Sequence, residues 1–226
     1  MIDKAPIFQR DFDRIALLVD DRWNHSTRYY EFLSRHIPAA CSEALDVGCG
    51  TGAFSRILAG RARHVTSLDL SPEMIRMARE RSHEFSNIDF DVADILKLDF
   101  PTEHFDCIAS IATLHHLPFA QTLSKLKNAL KIGGVLLVLD LYEAKGLADA
   151  FMFAAAMPVN AGLRLIEQRR LRPPREVREA WAEHARHDSF KTIAEVREVC
   201  AALLPGASVR RHLLWRYSVV WKKPVV

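Results

Sequence analysis

The sequence of 226 residues predicts an α/β fold in which a mostly parallel, seven-stranded sheet carries helices on both faces. From Glu43 onward, short apolar runs alternate with longer stretches of helical periodicity, which is typical of a parallel sheet flanked by helices. A glycine-rich turn follows the first apolar run, and alternation of apolar and polar residues appears near the C-terminus. These three observations predict parallel strands followed by an antiparallel hairpin in a single domain.

The parallel strands are predicted where a run rich in Val, Ile, Leu or Phe ends in a polar or glycine turn. Five runs meet this description: Ala44–Val47, Val65–Asp69, Ile88–Val92, Asp106–Ile111 and Gly134–Leu141. The segment Ser208–Lys223 alternates apolar and polar residues through Leu213, Trp215, Tyr217, Val219 and Trp221. Because side chains of a strand alternate between two faces, this segment predicts the C-terminal hairpin.

Two helices have clear boundary signals. After the second strand, Ser71 can cap a helix, Pro72 suits its first turn, and Glu73 favours the positive end of the helix dipole. After the fourth strand, Leu117–Lys131 predicts a helix that ends before Gly133 and Gly134, where the chain would turn into the fifth strand.

The composition excludes several kinds of site. Lys and Arg number 31 and Asp and Glu 28, so the net charge of +3 argues against a nucleic-acid binder that relies on a strong basic field. The four cysteines form no C-x-x-C pair, so we expect neither a metal site nor a redox motif, but thiols in a reducing compartment. The N-terminus lacks a long apolar run, which predicts no secretory signal, no membrane association and a cytoplasmic protein.

The glycine-rich turn is a candidate cofactor loop. Gly48, Gly50 and Gly52 lie between the first strand and the following helix, where a ligand can contact bare backbone. The same spacing satisfies the G-x-G-x-x-A fingerprint of nicotinamide dinucleotide sites, so the glycines alone leave the cofactor open. Asp46, just before the loop, would repel a pyrophosphate but attract an ammonium group, and so favours a positively charged cofactor.

Two further carboxylates favour an adenosine-containing cofactor. Asp69 ends the second strand, and its two oxygens can accept both ribose hydroxyl protons. Asp94 follows the third strand, where an adenine amino group can donate to it. The alternative for each of these acids is a structural role, in which the carboxylate caps a loop.

The ordered motifs Leu45–Gly52, Asp69, Asp94 and Leu130–Gly134 resemble those of class I S-adenosylmethionine-dependent methyltransferases. The similarity covers Ala44 to Tyr142, and Phe105–Ile108 with Leu114–Leu117 resemble the small-molecule branch of the type 11 group. The resemblance implies a Rossmann-like fold and S-adenosylmethionine as cofactor, with S-adenosylhomocysteine as product. It implies the following cofactor-binding residues: Tyr30, Asp46, Gly48, Cys49, Gly50, Gly52, Asp69, Leu70, Asp94, Ile95 and Ile111.

The sequence pattern, together with the resemblance for the N-terminal cap, predicts a division of the single domain 1–226. From Tyr142 to Phe190 the strand–helix alternation breaks, and Arg-rich helical sequence is interrupted by Pro173 and Pro174. Residues 1–40 would form a helical cap, 43–141 the cofactor-binding core, 142–190 a helical insertion over the acceptor site, and 191–226 a C-terminal helix and β-hairpin. In the cap, Trp23, Asn24 and His25 with Tyr29 and Tyr30 either close over the cofactor or pack together. In the insertion, an apolar acceptor wall would contain Phe151, Met152, Phe153 and Met157. The arginines would either contact an acidic group of the acceptor or form a solvated helix face with nearby glutamates; they are Arg164, Arg169, Arg170 and Arg172.

Three histidines are candidate catalytic residues. Methyl transfer from a sulfonium is a direct displacement, and a hydroxyl or protonated amine acceptor must also lose a proton to a base. Histidine suits that role near neutral pH. His115 and His116 follow the fourth strand, at the edge where such sheets bind ligands, and His187 adjoins Asp188 in the insertion. The alternatives are a role in the cofactor pocket or helix start for the first two, and a solvated helix end for His187.

The predicted activity is transfer of a methyl group to an O, N or C atom of a small-molecule acceptor by a monomer or homodimer. A non-catalytic S-adenosylmethionine-binding protein and a nicotinamide-dependent oxidoreductase remain as alternatives. A methyltransferase acting on nucleic-acid bases is disfavoured, because Ser110–Thr113 lacks the Asn/Asp-Pro-Pro-aromatic motif expected after the fourth strand.

Overall fold

The structure is a computed structural model that describes residues 5–18, 26–168, 172 and 174–225. The strands are β1 Cys41–Val47, β2 Ala62–Asp69, β3 Ile88–Val92, β4 Phe105–Ile111, β5 Leu130–Leu141, β6 Ser208–Arg211 and β7 Arg216–Lys222. The helices are α1 Ala5–Leu18, α2 Tyr30–Ser34, α3 Ala53–Ala59, α4 Pro72–Arg81, α5 Phe119–Ala129, α6 Leu147–Gln168, α7 Arg175–His184 and α8 Ile193–Leu203. Short 3-10 turns cover Thr27–Tyr29 and Leu114–His116.

The strands form one seven-stranded sheet in the order β3-β2-β1-β4-β5-β7-β6. Strands β1 to β5 are parallel, whereas β7 pairs antiparallel with both β5 and β6. One apolar layer packs α5 and α8 against the sheet, and a second packs α2 and α3 against its other face. The predicted fold class is therefore confirmed.

The strand order reverses between β1 and β4, which are hydrogen-bonded neighbours at the centre of the sheet. In open parallel sheets the loops at such a point leave toward opposite faces, and a crevice forms beyond the carboxyl ends of the strands. The glycine loop that follows β1 and the histidine turn that follows β4 therefore lie at the same edge.

The cap of α4 is as predicted, since the Ser71 side chain accepts a hydrogen bond from the Met74 amide and Pro72 opens the helix. Helix α1 crosses this helix start: Asp13 accepts from the Ser71 hydroxyl and from the Glu73 amide. Part of the N-terminal segment is thus held against the loop that follows β2.

The start of β5 differs from the prediction. The strand begins at Leu130 rather than at Gly134, so Gly133 and Gly134 lie within it and not at the turn into it. Its pairing with β4 shifts register between Phe105 and Cys107, so the glycines form a bulge. A Cβ at Gly134 would lie 3.0 Å from the Asp106 carbonyl oxygen, and Gly133 has a φ of +79°. The glycines are therefore needed for strand geometry.

The structure describes only some of the remaining predicted features. Trp23, Asn24, His25, Arg169 and Arg170 lie outside the described residues. In the insertion, Phe151 and Met157 are exposed by 77% and 52%, so they project into solvent, contrary to the expected acceptor wall. The described residues contain no helix that is both long and apolar enough to cross a membrane.

Candidate active site

The glycine loop is pressed against the turn that follows β4. Gly48, Gly50 and Gly52 all have positive φ, at +69°, +53° and +78°, which favours residues without a Cβ. A Cβ at Gly48 would lie only 2.1 Å from the Thr113 hydroxyl oxygen, whereas one at Gly50 would meet no atom of the described structure within 4 Å. Gly48 therefore permits the contact between the two loops, and Gly50 leaves an open face for a ligand.

Asp46 presents a buried carboxylate oxygen beneath this loop. Its Oδ2 accepts a hydrogen bond of 2.7 Å from the Ser55 hydroxyl, whereas Oδ1 has no partner within the described part of the chain. Burial raises the pKa of Asp46 to about 7, opposed by the Ser55 hydrogen bond and assisted by the negative charge of Asp69. A cationic ligand group would satisfy the oxygen and favour the ionised carboxylate.

Asp69 fixes the same loop from the end of β2. Its Oδ2 accepts from the Gly50 amide at 2.8 Å, and its Oδ1 accepts from the Ser71 amide at 2.9 Å. Burial raises the pKa of Asp69 by more than these backbone hydrogen bonds lower it. Each carboxylate oxygen keeps a second lone pair for a hydroxyl donor, so the position fits a ribose.

The remaining predicted cofactor residues surround these acids. Asp94 accepts from the Leu96 amide at 3.0 Å and pairs with the Lys97 ammonium at 3.2 Å. Cys49 is buried, and burial raises the pKa of its thiol well above the usual value, so the thiol stays protonated. Tyr30 packs edge-on against Phe54 of α3, with ring centroids 5.2 Å apart. Ile95 is buried, and Leu70 and Ile111 are half-buried at the ends of β2 and β4.

His115 forms a buried pair with an acid that the sequence analysis did not select. Its Nδ1 lies 2.6 Å from Oδ1 of Asp140, near the end of β5, and the two side chains are 6% and 1% exposed. Asp140 also accepts a hydrogen bond from the Leu141 amide. An ionised carboxylate here assigns the Nδ1 proton to the imidazole and leaves Nε2 as an acceptor. The only available sequence signal was an acid near the carboxyl end of the strand next to β4.

His116 lies in a second buried group. Its Nδ1 is 3.1 Å from Oδ1 of Asp188, and Nε2 of His184 is 3.5 Å from the same oxygen. The Phe8 and Phe12 rings of α1 pack on His116 at centroid distances of 4.7 and 5.4 Å. Burial lowers the pKa of His116 and of His184 despite the nearby carboxylate, which favours neutral imidazoles.

A cavity of about 200 Å³ brings the three predicted catalytic histidines together. Asp188, the sequence neighbour of His187, faces His116 and His184, because α7 ends at His184 and the chain turns there. The cavity is lined by Phe8, Leu114, His115, His116, Leu117, Pro118, Phe119, Leu141, His187, Ser189, Lys191 and Tyr217.

Comparison with known proteins agrees with this geometry. A family model described as a methyltransferase domain matches residues 45–138. An uncharacterized methyltransferase of Mycobacterium bovis is 32% identical over 216 residues, which cover 92% of this chain and all of the relative. The chain belongs to the methyltransferase family. It is an S-adenosylmethionine-dependent methyltransferase, which removes the nicotinamide alternative.

Two further proteins resemble this methyltransferase, one in sequence and one in fold. A ubiquinone biosynthesis O-methyltransferase of Xylella fastidiosa is 37% identical over 112 residues, or 48% of this chain and 45% of the relative. The solved N-methyltransferase NodS of Bradyrhizobium japonicum, in complex with S-adenosylhomocysteine, aligns with a TM-score of 0.66. That alignment covers 96% of this methyltransferase and 98% of NodS at 18% identity, and so supports the shared fold.

Proposed function

We propose that the enzyme transfers the methyl group of S-adenosylmethionine to a small-molecule acceptor bound in the His115 cavity, and that His115 accepts the acceptor's proton. The observation that carries this proposal is the buried His115–Asp140 pair at the wall of a cavity that includes the turn after β4. The hydroxyl of Thr113, two residues before His115, donates to the Gly48 carbonyl oxygen at 3.3 Å, so the two sites are adjacent.

The loop residues are proposed to hold the cofactor. Asp46 would bind the ammonium group of the methionine part, because its buried Oδ1 lacks another partner within the described residues. Gly48 and Gly50 would lie along the same part, Asp69 would accept from the ribose hydroxyls, and Asp94 from the adenine amino group. The other proposed contacts are Tyr30, Cys49, Gly52, Leu70, Ile95 and Ile111.

The proposed proton transfer follows from the geometry of the pair. Bound S-adenosylmethionine supplies a methyl group on a positively charged sulfur. The acceptor atom would form a bond to this carbon as the carbon–sulfur bond breaks. The electron pair of the broken carbon–sulfur bond would stay on sulfur. The proton of the acceptor hydroxyl or ammonium passes to Nε2 of His115, and Asp140 stabilises the resulting imidazolium.

The cavity favours a compact acceptor with a polar group. Its volume of about 200 Å³ lies below the range of about 300 to 1,000 Å³ that is typical of pockets for drug-sized ligands. Phe8, Leu114 and Phe119 line it with apolar surface, while His187 and Lys191 add polar groups. The Xylella fastidiosa relative is named as an O-methyltransferase, which supports a hydroxyl acceptor.

The neighbouring elements have proposed roles in enclosing the acceptor. Phe8 of the predicted cap lines the cavity, as do His187 and Ser189 of the predicted insertion. Phe8 is 6% exposed, and its apolar ring would exclude water from the reacting atoms. All four cysteines are buried free thiols, which supports a reducing, cytoplasmic setting. The proposed oligomeric state is a monomer or homodimer.

Incubation with isotopically labelled S-adenosylmethionine and a cell extract separated into small-molecule, protein and nucleic-acid fractions tests the proposal. Label is expected in a discrete small molecule identifiable by mass spectrometry, and this product should disappear with His115→Ala. Label confined to protein or nucleic acid would overturn the acceptor class. Undiminished product formation by His115→Ala would overturn the role of the base.

A further inference from the structure

Three groups that commonly bind metal ions converge at the wall of the cavity. One ligand atom from each of His115, His116 and Asp188 lies within 4.8 Å of the other two. Their side chains are only 6% to 7% exposed. The triad therefore joins the turn that follows β4 to the segment that follows α7.

The contact between His116 and Asp188 is incompletely satisfied. Nδ1 of His116 and Oδ1 of Asp188 are 3.1 Å apart, yet within the described structure neither atom has a hydrogen-bond partner of acceptable geometry. A buried polar contact with poor hydrogen-bond geometry offsets little of the cost of removing its groups from water. An ion that accepts a lone pair from both atoms would remove this cost.

His115 contacts a carboxylate in the way that the histidine ligands of many metal sites do. Its Nδ1 lies 2.6 Å from Oδ1 of Asp140, so Nε2 is the nitrogen that would bind an ion. Metal-binding histidines commonly donate their other ring N–H to a carboxylate, which fixes the ring and strengthens the ligand. Asp140 occupies that supporting position here.

We infer that His115, His116 and Asp188 form a binding site for a first-row divalent transition-metal ion of the Zn²⁺ type, and that the bound ion inhibits methyl transfer. Binding requires only the triad. Inhibition rests on the proposed function, because the ion would coordinate the nitrogen of His115 that accepts the acceptor's proton.

The donor set determines the class of ion. Two imidazoles and one carboxylate suit Zn²⁺, Co²⁺ or Ni²⁺, whereas Mg²⁺ and Ca²⁺ prefer oxygen ligands. Ligands about 2.0 to 2.1 Å from a tetrahedral ion lie about 3.3 Å apart, close to the 3.1 Å separation of His116 and Asp188. Three protein ligands leave the fourth position to water.

An exposed cluster offers a matched control. The two ring nitrogens of His64 lie 3.0 Å from Glu43 and 3.0 Å from Asp89, and the His64 side chain is 38% exposed. It therefore presents histidine and carboxylates at the surface, away from the cavity. His64→Ala removes this cluster and leaves the buried triad intact.

The binding test uses the full chain, stripped of metal by a chelator and titrated with Co²⁺ and then Zn²⁺. One tight equivalent is expected, with a Co²⁺ visible spectrum typical of low coordination number. His116→Gln and Asp188→Asn should each weaken binding by about tenfold or more, while His64→Ala should not. Thermal unfolding checks that the variants fold. Unchanged affinity in both folded triad variants, or loss of the tight equivalent in His64→Ala, would overturn the site.

The inhibition test adds Zn²⁺ to the enzyme during turnover and then removes it with a chelator. Turnover is expected to fall with occupancy of the tight site and to recover on chelation, in wild type and in His64→Ala. Metal binding to the triad with unchanged or increased turnover would overturn inhibition and the proposed proton acceptor, while the metal site would stand. Absence of metal binding would overturn this inference, while the proposed function would stand on the His115→Ala assay.

Discussion

Nδ1 of His115 lies 2.6 Å from Oδ1 of Asp140, and this buried contact joins the turn after β4 to the end of β5. The two strands are parallel neighbours, so their carboxyl ends place both side chains at the edge where the glycine loop also lies. The carboxylate fixes the imidazole's orientation and the position of its proton. In the proposed mechanism, the remaining nitrogen of this pair accepts the proton of the acceptor.

Asp140→Asn is expected to lower kcat by about a hundredfold or more, because the amide neither fixes the required tautomer nor stabilises the imidazolium. Affinity for S-adenosylhomocysteine should change little. Steady-state kinetics across pH, with cofactor binding by calorimetry, measures both effects. If Asp140→Asn keeps the wild-type kcat at all pH values, the role given to Asp140 is contradicted.

Asp69→Ala is expected to weaken S-adenosylhomocysteine binding by about tenfold or more while the protein remains folded. The change also removes the acceptor for two backbone amides, so the free energy of unfolding should fall by about 1 to 3 kcal/mol. Calorimetry and urea unfolding measure the two quantities. Asp91→Ala on neighbouring β3, where the side chain is 65% exposed, is the matched control. Unchanged cofactor affinity in Asp69→Ala would contradict the ribose assignment.

The affinity for S-adenosylhomocysteine is expected to fall as pH decreases through about 7, the raised pKa of Asp46. Protonation removes the negative charge proposed to bind the ammonium group, so binding below this pH must release a proton. The same raised pKa makes the free protein lose stability as pH rises from about 4 toward 7, because the folded state retains the proton longer. Calorimetry in buffers of different ionisation enthalpy measures the proton release. Asp46→Asn should remove the pH dependence of S-adenosylhomocysteine affinity. An identical dependence in the variant would contradict the role proposed for Asp46.

Gly48→Ala and Gly50→Ala form a matched pair, because both positions have positive φ. The added Cβ at Gly48 overlaps Thr113, so this variant should lose more stability, by about 1 to 3 kcal/mol beyond the shared backbone strain. At Gly50 the methyl group meets open space, so the larger effect should be on cofactor affinity. Urea unfolding and calorimetry separate the two. Equal losses of stability would contradict the role assigned to Gly48.

The sequence predicts those features of the fold that depend only on residues close together in the chain. Apolar runs located the strands, and Ser71 with Pro72 located the start of α4, since capping is decided within one helical turn. The earlier start of β5 and the bulge at Gly133 and Gly134 are not predictable locally, because a bulge depends on register with a neighbouring strand. The His115–Asp140 contact spans 25 positions, and His116 meets Asp188 from a later segment. The spacing of neighbouring residues along the sequence predicts neither pairing.

Transfer of labelled methyl to the identified small-molecule acceptor, compared between wild type and His115→Asn, tests the central claim most directly. Single-turnover measurement with saturating cofactor isolates the chemical step. Methylation by wild type and a loss of about a hundredfold or more in His115→Asn, with S-adenosylhomocysteine affinity retained, is the expected result. A wild-type rate in the variant, or no labelled small molecule from a wild-type enzyme that binds the cofactor, would contradict the account.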